Sequence, residues 1–268
     1  MTLVHCTLAI TAIAAFALGA AARSPDADEA LDRDLARLSG KRVLFGHQSV
    51  GANILAGVEA LATSARPALR VVEVRRPADL GPGTLGHVLV AENGRPALKL
   101  ESFERALEAA GAPPDIALLK FCYVDFEAQT DSGALFARYQ ETLRRLHERY
   151  PRTIFVHVTV PLTVVQRGPR AWAKTVLGRP VGLAENARRE EYNARLRGAY
   201  QGREPIFDLA GFESTRPDGG REVTEWKGQE VPSLVPAYSQ DGGHLNALGR
   251  TLAARRLIAT LAGALPST

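Results

Sequence analysis

Along most of this chain, short apolar runs alternate with longer stretches in which apolar positions recur every three or four residues. The runs are Val43–Phe45, Leu69–Val74, Ile116–Phe121, Thr153–Val158 and Ile206–Leu209. Their length predicts strands, and the nearly continuous ones predict strands covered on both faces. Between them, Ile54, Leu55, Val58 and Leu61 follow helical spacing, as do Leu135, Tyr139, Leu143, Leu146 and Tyr150. The first set predicts a helix beginning just after Ser49. The second predicts a long helix capped by Asp131 or Ser132 and ended by Pro151. Further helices are expected over Phe103–Ala110, Ala187–Tyr200 and Ala247–Ala262, with Gly263 just past the last. A short helix through Leu31, Leu35 and Leu38 leads into the first strand.

Five alternations of strand and helix imply a parallel sheet with helices on both faces. The expected class is α/β: a single-domain three-layer α/β/α sandwich over residues 41–264, with a flavodoxin-like parallel sheet of about five strands. A polar segment over residues 23–40 precedes it. Residues 77–98 carry several Gly and Pro and read as a long loop with a hairpin at Asn93-Gly94. Residues 163–184 read as irregular and basic, with Arg167, Arg170, Lys174 and Arg179; together with Trp172 they form either a substrate lid or a solvated loop. Residues 211–243 read as a Gly/Pro-rich loop. Long loops after late strands are where such folds place substrate contacts.

Composition is that of a soluble globular chain: 46% of 268 residues are hydrophobic and 23% charged. The net charge of +4 is spread over many arginines without a nucleic-acid motif, so no nucleic-acid partner is expected. The first 22 residues contain no Lys, Arg, Asp or Glu, and Leu8–Ala20 is almost wholly apolar. With Ala20-Ala21-Ala22 before Arg23, residues 1–22 read as a secretory signal peptide. Export to the periplasm or the extracellular space, with no stable membrane insertion after cleavage, is the expectation. The competing reading is an uncleaved anchor, for which the apolar run is short. Cleavage leaves Cys122 as the sole thiol, so the core holds the fold without an intramolecular disulfide. Cys122 itself reads as a small buried hydrophobe, and His157 as a hydrogen-bonded core residue.

Candidate chemistry sits at the two ends of the sheet-forming region. Phe45-Gly-His-Gln-Ser49 places a serine between the first strand and its helix, near N–H groups at a helix start. That position suits a nucleophile and equally suits an ordinary capping serine. Near the C-terminus, Asp241-Gly-Gly-His244-Leu-Asn-Ala-Leu-Gly puts an aspartate three residues before a histidine, just ahead of the last helix.

In these two blocks the chain resembles the SGNH hydrolases, also called GDSL-type esterases. The resemblance spans roughly residues 41–262. It implies Ser49 as nucleophile, His244 as base and Asp241 as the carboxylate that orients it, acting without cofactor or metal. It also implies a small-molecule or glycan ester as substrate. Two departures stand out. The family's Gly-Asp-Ser is here Gly46 followed by His47, Gln48 and then Ser49. Its Gly-x-Asn-Asp block corresponds to Lys120-Phe-Cys-Tyr123-Val-Asp125, so that Val124 replaces the asparagine that donates to the oxyanion. Gln48, Asn53, His47, Lys120, Tyr123 and Asp125 are the candidates to supply donors or substrate contacts. Lys120, charged within an apolar strand, needs a partner, and Asp125 is the expected one; that pair is either part of the site or purely structural.

The reading that follows is an exported serine hydrolase cleaving a carboxylic (acyl or acetyl) ester, on a carbohydrate or a lipid, through an acyl-enzyme. Transfer of the acyl group to another acceptor is a close variant. A non-catalytic, glycan-binding envelope module on the same fold is an alternative, motivated by the missing asparagine. A zinc hydrolase using His47, Asp241 and His244 is a third reading, without the helical spacing such sites use.

Overall fold

The computed structural model describes residues 25–63, 69–177 and 181–266. The expected signal peptide lies outside the described residues, as do Arg179 and the side chains of Arg170 and Trp172. In chain order the elements are α1 (Pro25–Leu38), β1 (Arg42–His47), α2 (Val50–Ala62), β2 (Arg70–Glu73), β3 (Thr84–Leu89), α3 (Pro96–Ala109), β4 (Ile116–Leu119) and α4 (Ser132–Arg149). There follow β5 (Ile154–Val158), α5 (Pro169–Val176), α6 (Leu183–Tyr200), β6 (Ile206–Phe207), α7 (Leu209–Glu213), β7 (Val223–Trp226), β8 (Gln229–Pro232) and α8 (Ala247–Ala264).

The main sheet is parallel throughout, in the order β2-β3-β1-β4-β5-β6. Setting β3 aside leaves β2-β1-β4-β5-β6, which is the flavodoxin-like order. Strand β1 is central and buried on both sides. Val43 and Phe45 face a core closed by α1, α2, α7 and α8, whereas Leu44 faces one closed by α3, α4 and α6. This alternation, with both layers apolar, explains why the strand reads as a continuous apolar run.

The sheet thus has six strands rather than about five, and the extra one is β3. Residues 84–89 were expected to lie in a loop because Gly86 and His87 interrupt the apolar pattern. Gly86 is there for space: a Cβ at this position would come within 2.5 Å of Val74 and 2.6 Å of Leu80. Asn93-Gly94 forms no hairpin; Gly94 instead donates its N–H to Asp125 Oδ1 at 2.8 Å. The 211–243 segment is not loop alone. It holds α7 and the β7–β8 hairpin, turned at Lys227-Gly228 with φ of +51° and +75°, as a two-residue hairpin turn requires. Part of 163–184 is helical (α5), α6 starts at Leu183 and α3 at Pro96, both earlier than the pattern suggested. Gly263 lies inside α8 rather than after it.

Helix α6 carries polar residues on its buried side, and their partners explain them. Asn193 donates to Val160 O (3.0 Å) and accepts from Val160 N (2.7 Å). Asn186 does the same for Thr163, at 2.7 Å and 3.0 Å. The two amides satisfy the backbone where the chain leaves β5, which no neighbouring strand can do there.

Helices α2 and α8 lie side by side, and α2 approaches closely through Gly57. A Cβ there would meet the Arg250 carbonyl oxygen at 2.4 Å and Ala254 Cβ at 2.8 Å. Backbone is the obstacle, so no rotamer change relieves it. Gly57→Ala should therefore destabilise the protein by about 1–3 kcal/mol, despite the roughly 1 kcal/mol that Ala gains over Gly within a helix. Urea unfolding midpoints of the two proteins measure this; an unchanged or raised midpoint would show that the helices have room to part.

Candidate active site

The chain passes from β1 to α2 through Gln48 and Ser49. The turn is closed by Gly51 N donating to Gln48 O (3.0 Å) and Ala52 N donating to Ser49 O (2.8 Å). Ser49 has φ of +48° and ψ of −106°. Among the described residues the only other non-glycine with positive φ is Lys227, in the hairpin turn. Such a backbone costs about 1–3 kcal/mol and persists where the surroundings enforce it. The Ser49 side chain makes no capping bond to α2. Its Oγ lies 2.7 Å from His244 Nε2 instead.

His244 is held by Asp241 in two ways. Asp241 Oδ1 accepts the backbone N–H groups of Gly243 (3.0 Å) and His244 (2.7 Å), and Oδ2 lies 2.7 Å from His244 Nδ1. One carboxylate therefore fixes both the loop and the ring. The His244 N–H is the largest cause of a carboxyl pKa drawn down to about 2, so Asp241 is ionised at neutral pH. A proton shared between Nδ1 and an ionised Asp241 leaves Nε2 as the acceptor that faces Ser49 Oγ. The loop is anchored on both sides. Val164 N donates to Gly242 O at 2.8 Å, and Leu245 N donates to Asn53 Oδ1 at 3.1 Å. Asn53, one turn beyond Ser49, thus ties the Asp241–His244 loop to α2. Asn246 then caps α8, accepting from Gly249 N at 3.0 Å.

Tyr123 is the candidate residue whose ring packs against His244. Its ring stands edge-on to the His244 ring, with centroids 5.8 Å apart. Burial raises its pKa, opposed in part by the nearby Arg189 charge and by the Ser49 hydroxyl. Gly243 makes room for it: a Cβ there would come within 2.8 Å of Tyr123 Cζ and 2.9 Å of its hydroxyl. Arg189 of α6 clamps Tyr123 from behind. Its Nε donates to Tyr123 O at 3.0 Å, and its guanidinium lies 5.7 Å from the ring centroid. Its Nη1 bonds Thr163 Oγ1 and Asn186 Oδ1. Sequence reasoning missed Arg189. The signal was present, because Asn186, Arg189 and Asn193 form a polar stripe at helical spacing alongside Tyr192 and Leu196.

The remaining predicted residues are engaged elsewhere. His47 is buried, with Nε2 at 3.1 Å from His87 Nδ1. Burial, helped by His87 and Lys120, lowers its pKa to about 3 and keeps the ring neutral. It packs under α2, where Gly51 lacks the Cβ that would strike it. Its position removes it from the set with Asp241 and His244, and no group of three or more His, Cys, Asp or Glu among the described residues is placed to hold a metal ion. Gln48 donates to Val90 O at 2.5 Å, joining the Ser49 turn to the end of β3.

Asp125 pairs with Lys99, not with Lys120. The 2.6 Å ion pair is fully buried, and Asp125 also accepts from Cys122 N (2.6 Å) and Gly94 N. The reason is geometric: α3 brings Lys99 beneath the turn, whereas the Lys120 ammonium points to Phe121 O at 2.9 Å. Burial lowers the pKa of Lys120. Nearby, the fully buried Glu213 accepts from Leu162 N at 2.6 Å through Oε2, while Oε1 has no partner. Burial outweighs that bond and the nearby Lys120 and Arg189 charges, and pushes its pKa up to about 8.

No family model matches the chain, and no curated protein matches it significantly. Among solved structures, it is similar to a protein assigned as an acylhydrolase from Bacteroides fragilis, with a TM-score of 0.50 and 15% identity over 87% of this chain and 93% of the other. This likeness is one of fold. A structure described as a platelet activating factor protein from Streptococcus pneumonia has a TM-score of 0.48 and 17% identity over 87% and 91%. An acetylxylan esterase from Geobacillus stearothermophilus has a TM-score of 0.37 and 14% identity over 83% and 94%.

The state of Glu213 has a consequence for stability. A carboxyl that is protonated in the fold and ionised in the unfolded chain takes up a proton on folding. Its contribution is therefore fully present at low pH and is lost as pH rises from about 4.5 towards 8. Glu213→Gln should flatten this decline between pH 5 and pH 8 in urea unfolding measured at each pH. An identical decline in both proteins would show that Glu213 is ionised in the folded state.

Proposed function

We propose that this chain, which has the α/β fold of the SGNH hydrolases, is a serine esterase that hydrolyses a carboxylic ester through a covalent acyl-enzyme. The observation that carries the proposal is Ser49 Oγ at 2.7 Å from a histidine whose far nitrogen is held by an ionised aspartate. His244 Nε2 takes the hydroxyl proton as Ser49 Oγ attacks the ester carbonyl carbon. The tetrahedral intermediate collapses, His244 returns the proton to the departing alkoxide, and the alcohol leaves. Water then attacks the acyl-serine with His244 again as base, releasing the carboxylic acid and the free serine.

The charge on the intermediate needs donors, and the asparagine of the resembled family is replaced by Val124. The Ser49 N–H, at the start of α2, supplies one. The Tyr123 hydroxyl supplies the other, because it lies beside Ser49 and is clamped by Arg189. Gln48 and Asn53 are committed to Val90 and Leu245 and act as positioning residues. Side-chain exposure of 49% at Asp241 and 33% at His244 gives water access to the acyl-enzyme, which favours hydrolysis over transfer. The strained Ser49 backbone is of the kind that persists at functional sites. Export, through the apolar N-terminal segment, belongs to the same proposal.

Two measurements check it. A fluorophosphonate probe should label the wild-type protein and leave Ser49→Ala unlabelled; equal labelling would remove Ser49 as the nucleophile. Tyr123→Phe should lower kcat on a soluble acetyl ester by about 10²–10³-fold, the loss seen when one oxyanion donor is removed, with KM little changed. A kcat within a factor of about two of wild type would assign the second donor elsewhere.

A further inference from the structure

Arg189, in the second turn of α6, is a buried charge beside the site, only 3% exposed. Burial draws its pKa down to about 10, opposed from a distance by Glu185 and Glu213, so the guanidinium is charged at neutral pH. A buried charge ordinarily has a bonded counter-ion, as Lys99 has in Asp125 at 2.6 Å. The acceptors of Arg189 are neutral instead: Tyr123 O at 3.0 Å, Thr163 Oγ1 at 2.8 Å and Asn186 Oδ1 at 2.5 Å. Satisfying backbone does not require a charge here. Asn193, one turn further along the same helix, does that for Val160 as a neutral amide.

Two of these acceptors lie in different walls of the site. Tyr123 belongs to the turn after β4, and its ring packs against His244. Thr163 follows β5, and the next residue, Val164, donates its N–H to Gly242 O at 2.8 Å in the Asp241–His244 loop. Arg189 thus closes a path from Tyr123 through Thr163 and Val164 to the loop that carries His244. The guanidinium also lies 5.7 Å from the Tyr123 ring centroid, within cation–π range. A cation there favours negative charge on the phenol oxygen, which makes the hydroxyl a stronger donor.

We propose that Arg189 is a positioning residue: it holds the Tyr123 hydroxyl beside Ser49 and fixes its spacing from the Asp241–His244 loop. This rests on the esterase reading, in which Tyr123 donates to the oxyanion and His244 is the base. A planar fork suits the task. Nε and Nη1 share one rigid plane and reach both walls at once, whereas a lysine ammonium is a single point on a flexible stem. A displaced donor stabilises the tetrahedral intermediate less and leaves substrate binding largely intact, so the loss falls on kcat.

The test is a double-mutant cycle on turnover of para-nitrophenyl acetate, with kcat and KM measured for wild type, Arg189→Lys, Tyr123→Phe and the double variant. Arg189→Lys keeps the charge and loses the fork, so kcat should fall by about 10- to 100-fold with KM little changed. In the Tyr123→Phe background the same substitution should cost no more than about twofold, because the hydroxyl it positions is already gone. A residue that only held the fold together would cost the same in both backgrounds. Thr163→Val leaves the arginine in place and removes one of its acceptors. It should show a smaller loss with the same dependence on Tyr123, and it carries the test if Arg189→Lys does not fold, which urea unfolding reports. A readout that needs no turnover is NMR titration of the Tyr123 phenol in protein carrying ring-labelled tyrosine, the signal assigned by its absence from Tyr123→Phe. Removing the cation in Arg189→Gln should move that titration to higher pH. The inference is overturned if Arg189→Lys and Thr163→Val both keep wild-type kcat, if the losses in the cycle are additive, or if the Tyr123 titration is unmoved. A moved titration without wild-type turnover sinks the esterase reading and leaves the hold of Arg189 on Tyr123; turnover with additive losses does the reverse.

Discussion

The close contact of α2 with α8 is the constraint on which the candidate site depends. Ser49 stands at the start of one helix and His244 just before the start of the other, 195 residues apart in the chain. A hydrogen bond of 2.7 Å between them tolerates little error in how the helices lie. Gly57 lets the two backbones meet at the Arg250 carbonyl. The Asn53 carboxamide then pins Leu245 to the first turn of α2. Helix packing at Gly57 and one polar contact at the helix starts thus hold Ser49 and His244 in register. Both helices start at the carboxyl edge of a parallel sheet, and a right-handed crossover topology brings such helix starts together at one edge.

Around that contact, polar groups are divided between two tasks. The more exposed ones, Asp241 and His244, are hydrogen-bonded to each other and to Ser49 in a place water reaches. The buried ones hold backbone. Asp125 and Lys99 join the 93–94 loop to the turn before Tyr123, and Asn186 and Asn193 satisfy the exit from β5. Arg189 crosses between the tasks, since it satisfies Thr163 and also fixes Tyr123. A buried polar network of this kind rigidifies only when its members are satisfied. Glu213 Oε1 is unpartnered, as are His47 Nδ1 and the Tyr192 hydroxyl, and burial raises the Glu213 pKa so that this carboxyl stays neutral.

Some of this architecture was readable along the chain and some was not. The runs at Val43–Phe45, Ile116–Phe121 and Thr153–Val158 announced strands because burial on both faces demands apolar residues at successive positions. Strand β3 escaped because its Gly86 answers to Val74 and Leu80, neighbours that exist only in the folded sheet. The β7–β8 hairpin escaped because only Val231 and Pro232 of its strands are buried, so its side chains carry no regular apolar alternation to detect. Lys120 and Asp125 looked like a pair because they are near in sequence. Lys99 is the partner because α3 packs beneath the turn, and proximity along the chain carries no information about that.

What the sequence by itself determined is local: the α/β alternation, the serine between strand and helix, and the Asp241–His244 spacing, in which three residues suffice for one carboxylate to reach both a backbone N–H and a ring nitrogen. Tertiary structure decided where the Ser49 hydroxyl bonds. A serine at a helix start caps its own helix unless something draws its hydroxyl away, and here the strained turn and the arrival of His244 from the far end of the chain do so. It also decided that His47, Gln48 and Asn53 bind His87, Val90 and Leu245, and that Tyr123 comes to lie beside Ser49. The reason is the same in each case: a side chain's local spacing sets what it can reach within one turn, whereas the partner it finds is set by how distant elements pack.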